Sequence, residues 1–382
     1  MNGTAKSHLF SPLTIRGQKL KNRICVPALC QYSATDGLAN DWHLVNAGSF
    51  ARGGAALVVM EATGVEPRGR ITHHCLGLWC DQQIEPLARI VQFVKSQGAV
   101  AGIQLSHAGR KGSNLPPTVG RGSIPDSEGG WPTIGPSAIA FGANMDKVPK
   151  EATVEDIHRI TGAFVSSALR AVKAGFQVIE LHFAHGYLIS TFLSPITNHR
   201  TDRYGGCLEN RMRFGLEMAE SVRNSLPDDI VLGAKVSVTD YADNGWDLKQ
   251  TLEFAKRLKA LGVDYITASS GGVVSGVEYK QTAKVHLNAA QSLVEEVGVT
   301  AGVVGEITNP QMADEIVRQN KATLVFIGRG FLNDPHWPYR AADSVGTDST
   351  FTYPKPYEWC IGWKAFEKWR KGVYAAQNQS KN

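Results

Sequence analysis

The chain has 382 residues, a formal net charge of +5, 43% hydrophobic and 20% charged residues, the make-up of an ordinary globular protein with room for one large α/β domain or two small ones. No dense Lys/Arg stripe accompanies the positive charge, so no nucleic-acid partner is expected. No apolar run approaches the roughly 18–20 residues that span a bilayer, and the opening MNGTAKSHLFSPL has no signal-peptide core, so a cytoplasmic protein without membrane association is expected.

The six cysteines, Cys25, Cys30, Cys75, Cys80, Cys207 and Cys360, are too sparse for a disulfide framework and suit a reducing compartment. Cys75 and Cys80 lie near His73 and His74, but the spacing fits no zinc pattern and no metal site is expected.

Along the chain, short apolar runs recur. Strands are expected at Ile24–Ala28, Ala56–Glu61, Val100–Ser106, Gln177–His182, Val231–Val238, Asp264–Ser269, Ala301–Val304 and Thr323–Ile327. Continuous apolar runs of this length are those of parallel strands buried on both faces. Helical periodicity falls between them, at Ile84–Gln97, Thr153–Ala174, Leu208–Ser225, Leu248–Leu261, Leu287–Val297 and Pro310–Gln319. Thr153 suits an N-cap, and Pro310 a first helical turn. The alternation predicts a (β/α)8 TIM barrel, with a doubly wound open sheet as the alternative. The barrel is expected over residues 1–363. Within it, 108–150 is a long insertion after the third strand, rich in Gly, Pro and Ser and placed as a lid over the strand ends. Residues 364–382 form an extension, expected to be partly disordered from Ala375 onward.

In such a barrel the site lies at the C-terminal ends of the strands. Those positions carry Ala28 to Tyr32, Ala62, Gln104, the run His107 to Lys111, then His182, His185 and Tyr187, and finally Lys235, Gly305, Gly328 and Arg329. His182, His185 and Tyr187 pack three proton-exchanging groups into six residues. The structural alternative is a strand-to-helix loop with hydrogen-bonded core histidines. Gly305 and Gly328 allow close backbone approach to a phosphate and Arg329 adds charge, whereas each glycine alone would serve equally as a tight turn.

Several segments together resemble the old yellow enzyme family of FMN-dependent ene-reductases, in particular its xenobiotic-reductase-like class. They include Leu20-Lys21-Asn22-Arg23-Ile24, Leu29-Cys30-Gln31-Tyr32-Ser33, Glu61-Ala62-Thr63, Gly69-Arg70-Ile71-Thr72 and Ile103-Gln104-Leu105-Ser106-His107-Ala108-Gly109-Arg110-Lys111. To these are added Gly135-Pro136-Ser137-Ala138-Ile139, His185-Gly186-Tyr187-Leu188, Asn198-His199-Arg200-Thr201-Asp202 and Ile327-Gly328-Arg329. The resemblance runs from about Leu9 to Trp363. It implies non-covalent FMN, reduced by NADPH or NADH. Pro27, Ala28, Cys30, Ala62 and Gln104 would meet the ring, Lys235 would lie beside it, and Gly305, Gly328 and Arg329 would hold the phosphate. His182 and His185 would grip a substrate carbonyl oxygen, Tyr187 would be the acid, and Tyr32 would line the substrate side. The implied reaction is reduction of activated alkenes or quinone-like acceptors by a homo-oligomeric enzyme, a dimer or tetramer.

The chain departs from that pattern in three places. The family usually carries Arg where Lys235 stands, and lysine offers a point charge without the bidentate fork. The loop 271–287 does not read like the family's. An amphipathic segment, Lys364–Tyr374, follows the aromatic stretch Tyr357–Trp363. These departures keep two alternatives open: a pathway desaturase or isomerase on the same scaffold, and a flavin-free lyase using Lys235 as a Schiff base.

Overall fold

The computed structural model describes residues 7–347 and 351–361 and, beyond them, residues 366, 368, 369, 371, 372 and 375. Eight parallel strands close into a barrel: β1 (Ile24–Val26), β2 (Leu57–Gly64), β3 (Val100–Ser106), β4 (Val178–Phe183), β5 (Val231–Ser237), β6 (Tyr265–Ser269), β7 (Thr300–Val304) and β8 (Leu324–Phe326). Each strand pairs with its neighbours in sequence, and β8 closes onto β1 through Val325 opposite Ile24 and Phe326 opposite Cys25. The (β/α)8 reading therefore holds, and the open sheet does not.

The strands are buried along nearly their whole length because helices cover the outside and side chains fill the inside. The interior carries an apolar layer that includes Leu57, Val100, Val178, Val231, Tyr265 and Phe326. A hairpin, Leu13–Ile15 with Gln18–Leu20, contributes Ile15 and Leu20 to that layer. Full burial of such side chains is worth roughly 1.5–3 kcal/mol each. The layer is thus well able to offset a polar row above it, built from Gln104, Glu180 and Lys235.

Most element boundaries move by one to three residues. One helix moves further: it runs Thr282–Ser292 and passes into a π-helical turn, Leu293–Val297, so the expected Leu287–Val297 covers only its second half. Gln281, left-handed at φ 50°, turns the chain into it. The helix Val154–Lys173 begins where expected, with the Thr153 hydroxyl accepting from the Asp156 N–H at 3.1 Å. Ala62 lies inside β2, not after it, beside a register shift between Met60 and Ala62.

The insertion 108–150 holds short 3₁₀ turns and one small pairing, Ile134–Gly135 with Lys150–Glu151. The Phe141 ring of this insertion is centred 4.5 Å from Lys111 Nζ. Most of the segment 364–374 and the tail beyond residue 375 lie outside the described residues. Among the described residues no helix is long and apolar enough to cross a membrane, and no three metal-ligating side chains converge.

Candidate active site

The strand-end residues singled out from the sequence gather at the C-terminal mouth in three adjoining groups. The first lies at the end of β4 and just past it. The His182 and His185 rings lie 5.1 Å apart, and the His182 and Tyr187 rings 4.8 Å apart, all edge to face. Ala184 N–H donates to His182 Nδ1 at 3.2 Å, which leaves the ring proton on Nε2. That Nε2 is 3.3 Å from His185 Nδ1, while His185 Nε2 is 2.7 Å from the Ser269 hydroxyl. Burial, followed by the nearby charges of Lys235 and Lys111, holds His182 well below the usual histidine range. Burial and its histidine partner do the same to His185. Both imidazoles are therefore neutral donors in ordinary buffer. Burial pushes the Tyr187 phenol well above its ordinary value, so it keeps its proton. Among the described residues the Tyr187 hydroxyl makes no hydrogen bond, unlike a structural tyrosine tied to a carbonyl.

The turn carrying this group is held firmly. His185 is left-handed, at φ 62°, and its N–H donates to Ser237 Oγ at 2.9 Å. The next residue must be glycine, since a Cβ at Gly186 would come within 1.9 Å of the Gly272 carbonyl oxygen. Lys111 Nζ donates to the carbonyls of His185 at 2.8 Å and Gly272 at 3.1 Å, and burial lowers its pKa to about 8. Arg110 reaches the carbonyls of Ile139 at 3.0 Å and Ala140 at 3.1 Å, and also that of Val273. The two consecutive cations thus join the insertion, the loop after β6 and the His185 turn.

The second group is the loop after β1. Cys30 lies against the backbone of Ala62 and the hydroxyl of Tyr32. Gln31 N–H donates to Glu61 Oε2 at 3.2 Å, and Glu61 Oε1 faces the buried His43 Nε2 at 3.3 Å. Burial, then the charge of Glu61, pushes the Cys30 thiol well up, so it remains a thiol. Tyr187 feels both Cys30 and Tyr32 electrostatically, which places the first two groups side by side.

The third group lines a cavity of about 1550 Å³, which runs from Pro27, Ala28 and Lys235 to Gly305, Gly328 and Arg329. Gly305 takes φ 120°, a conformation other residues rarely adopt. Lys235 sits beside His182 in the strand register and is only 7% exposed. Burial lowers its pKa, while the Glu180 charge opposes that shift. Glu180 is the nearby acid, yet it is already engaged. It accepts from Gln104 Nε2 at 2.7 Å, Tyr265 hydroxyl at 2.9 Å and Thr267 hydroxyl at 3.4 Å. Among the described residues Lys235 makes no hydrogen bond or ion pair, which leaves a buried amine at the cavity. Because Gln104 turns its amide N–H to Glu180, its own carbonyl oxygen is free to accept.

Glu180, Ser269 and Lys111 were not assigned roles from sequence. Glu180 carried a readable signal, since it lies two residues before His182 and so on the same face of the strand.

Residues 8–348 match the NADH:flavin oxidoreductase / NADH oxidase family. The chain is similar to an NADPH dehydrogenase of Geobacillus thermodenitrificans, 42% identical, over 93% of this chain and 98% of that one. Among solved structures it is similar to morphinone reductase, with a TM-score of 0.74 at 24% identity, over 92% of this chain and 97% of that one. It is also similar to 2-naphthoyl-CoA reductase, with a TM-score of 0.79 at 23% identity, over 89% of this chain and 52% of that one, so it spans about half of that longer protein. At these identities the two structures speak for the fold alone.

Proposed function

This chain belongs to the NADH:flavin oxidoreductase / NADH oxidase family, and we propose that it reduces the C=C bond of α,β-unsaturated carbonyls and quinone-like acceptors. It is an oxidoreductase with FMN as cofactor and NAD(P)H as reductant. The residues fit that cofactor. Among the described residues Lys235 is a buried amine without a partner and Gln104 has a free carbonyl oxygen, and Gly305, Gly328 and Arg329 line the far end of the same cavity. Pro27, Ala28, Cys30 and Ala62 would complete its walls.

The hydride chemistry, from NAD(P)H to ring N5 and on to the β-carbon of the alkene, is what FMN supplies when bound. The chain supplies the rest. The Nε2–H of His182 and an N–H of His185 bind the carbonyl oxygen and stabilise the negative charge that develops there. Tyr187 gives its phenolic proton to the α-carbon. Tyr32 faces the substrate side, and Lys235 favours added negative charge in the cavity. The observation that carries this reading is the cluster of two neutral histidines and a protonated tyrosine whose hydroxyl has no partner among the described residues. The flavin-free lyase reading of Lys235 falls with family membership. Purified protein given NADPH and 2-cyclohexenone without oxygen should form cyclohexanone mole for mole with NADPH consumed. NADPH consumption only when oxygen is admitted would overturn the proposal.

Two variants bear on the cofactor side. Lys235→Ala removes a cation that favours the reduced state. The flavin potential should fall by roughly tens of millivolts, since about 30 mV corresponds to 1.4 kcal/mol for two electrons, and reduction by NADPH should slow. Lys235→Arg should restore both, and an unchanged potential in the alanine variant would place Lys235 away from the ring. Cys30→Ala should also move the potential by roughly tens of millivolts while turnover continues, because the thiol is not a nucleophile. Loss of all turnover in a folded, FMN-loaded variant would contradict that.

A further inference from the structure

Three histidines, His182 and His286 buried and His185 half-buried, stand around the end of β6, and two of them have fixed tautomers. His182 Nδ1 accepts the Ala184 N–H, so its proton stays on Nε2. His286 Nδ1 lies 2.5 Å from the carbonyl oxygen of Val304, which can only accept, so its proton stays on Nδ1. His286 Nε2 then accepts from Ser270 Oγ at 2.6 Å, and the Tyr241 hydroxyl completes that chain at 2.9 Å.

His185 differs. Its Nδ1 faces the His182 Nε2–H, a donor, and its Nε2 faces a hydroxyl that can donate or accept. Ser269 is 5% exposed, and among the described residues its hydroxyl has no other partner. The Ser237 hydroxyl, by contrast, donates to the Gly271 carbonyl at 3.1 Å and accepts the His185 N–H, so it is committed in both roles.

In the free site the ring proton of His185 therefore belongs on Nε2, donated to Ser269, with Nδ1 accepting from His182. A carbonyl oxygen seated between the two histidines reverses this demand, since it needs a proton on Nδ1. Nε2 would then be a bare buried acceptor unless something donates to it, and Ser269 is placed to do so. We propose that the Ser269 hydroxyl is a positioning group that sets the tautomer of His185, accepting from Nε2–H in the free site and donating to Nε2 when a ligand oxygen draws the proton to Nδ1.

Both forms of the ring are neutral. One proton leaves Nε2 and one arrives at Nδ1 by exchange with water, so no charge is gained and no other reactant is needed. The depressed basicity of His185 fits this, because it keeps the ring neutral and makes the position of its single proton decisive. The ligand selects between two populations that already exist. The consequence is that an acceptor oxygen can be bound by both histidines without leaving His185 Nε2 unpaired.

This inference rests on the proposed role of the two histidines as the carbonyl-binding pair, and the test separates the two. The oxidised, FMN-loaded full chain, labelled with ¹⁵N-histidine, is examined by NMR with and without 2-cyclohexenone. No reductant is present, so the enone binds without reacting. A His185→Gln variant assigns the signals. The expected result is an Nε2-protonated His185 in the free enzyme and an Nδ1-protonated one with enone bound. Ser269→Ala should weaken enone binding about tenfold, the worth of one buried hydrogen bond. Ser269→Thr, which keeps the hydroxyl, should restore it. An unchanged His185 pattern, or enone binding by Ser269→Ala as tight as wild type, would overturn the inference. If enone binds equally well to His182→Ala and His185→Ala, the carbonyl-pair reading itself fails. Should Ser269→Ala fold poorly, the NMR comparison on the unmutated enzyme and the threonine variant still decide.

Discussion

Tyr187→Phe should slow enone reduction by about 10²-fold or more, with reduction of the bound flavin by NADPH and turnover of a quinone acceptor close to wild type. The substitution keeps the ring that packs 4.8 Å from His182 and deletes only the acid. That acid is available: burial keeps the phenol protonated, and no internal hydrogen bond ties it down among the described residues. Nicotinamide oxidation places no demand on a donor to carbon. A quinone gains its protons at oxygen, where water serves. Only the enone needs a proton at carbon, so a role in proton delivery shows as a split between acceptors. Equal losses on quinone and enone would mean the residue shapes the site and donates nothing. Little loss on either would move the acid role to water or to Tyr32.

The second large effect falls on the histidine pair. His182→Ala and His185→Ala should each lower kcat/KM for an enone by about 10²–10³-fold, the typical worth of a donor aimed at developing charge. On the proposed reading both act on one oxygen, so the double variant should lose much less than the product of the single losses. Because both rings stay neutral well below the usual histidine range, enone kcat/KM should show no histidine titration between pH 6 and 8. Steady-state kinetics of the two single variants and the double variant across that range would check both points. Independent, multiplicative losses would mean that the rings serve different groups.

Much of this site could be read from the chain because its information is local. Eight apolar runs mark buried parallel strands, and polar residues at their ends mark the mouth. His182, His185 and Tyr187 fall within six residues, and Lys235 stands out as a charge inside an apolar strand. What escaped depends on contacts far apart in sequence. Ser269 meets His185 across 84 residues, and Tyr265 meets Glu180 across 85. Glu180 shows in the sequence only as a single acid in the run Val178-Ile179-Glu180-Leu181; its three donors, from strands distant in the chain, make it part of the barrel's polar row. Lys111 appeared in the sequence as one letter of a motif. Its work, bridging two carbonyls from separate loops, is visible only once those loops are folded together. The loop after β6 resisted reading for a similar reason. Gly271 and Gly272 both take positive φ; a Cβ at Gly272 would run into the His185 backbone, and one at Gly271 would run into the Tyr279 ring.

The reaction itself is best tested by following two hydrogens. 2-Cyclohexenone is reduced with NADPH carrying deuterium at the transferable position, and separately with unlabelled NADPH in D₂O, and the products are resolved by NMR. The account predicts cyclohexanone with the nicotinamide-derived deuterium on the β-carbon and the solvent-derived deuterium on the α-carbon, where Tyr187 delivers it. Nicotinamide-derived deuterium on the carbonyl carbon, in an allylic alcohol, or an enone recovered unchanged while NADPH is consumed, would contradict it.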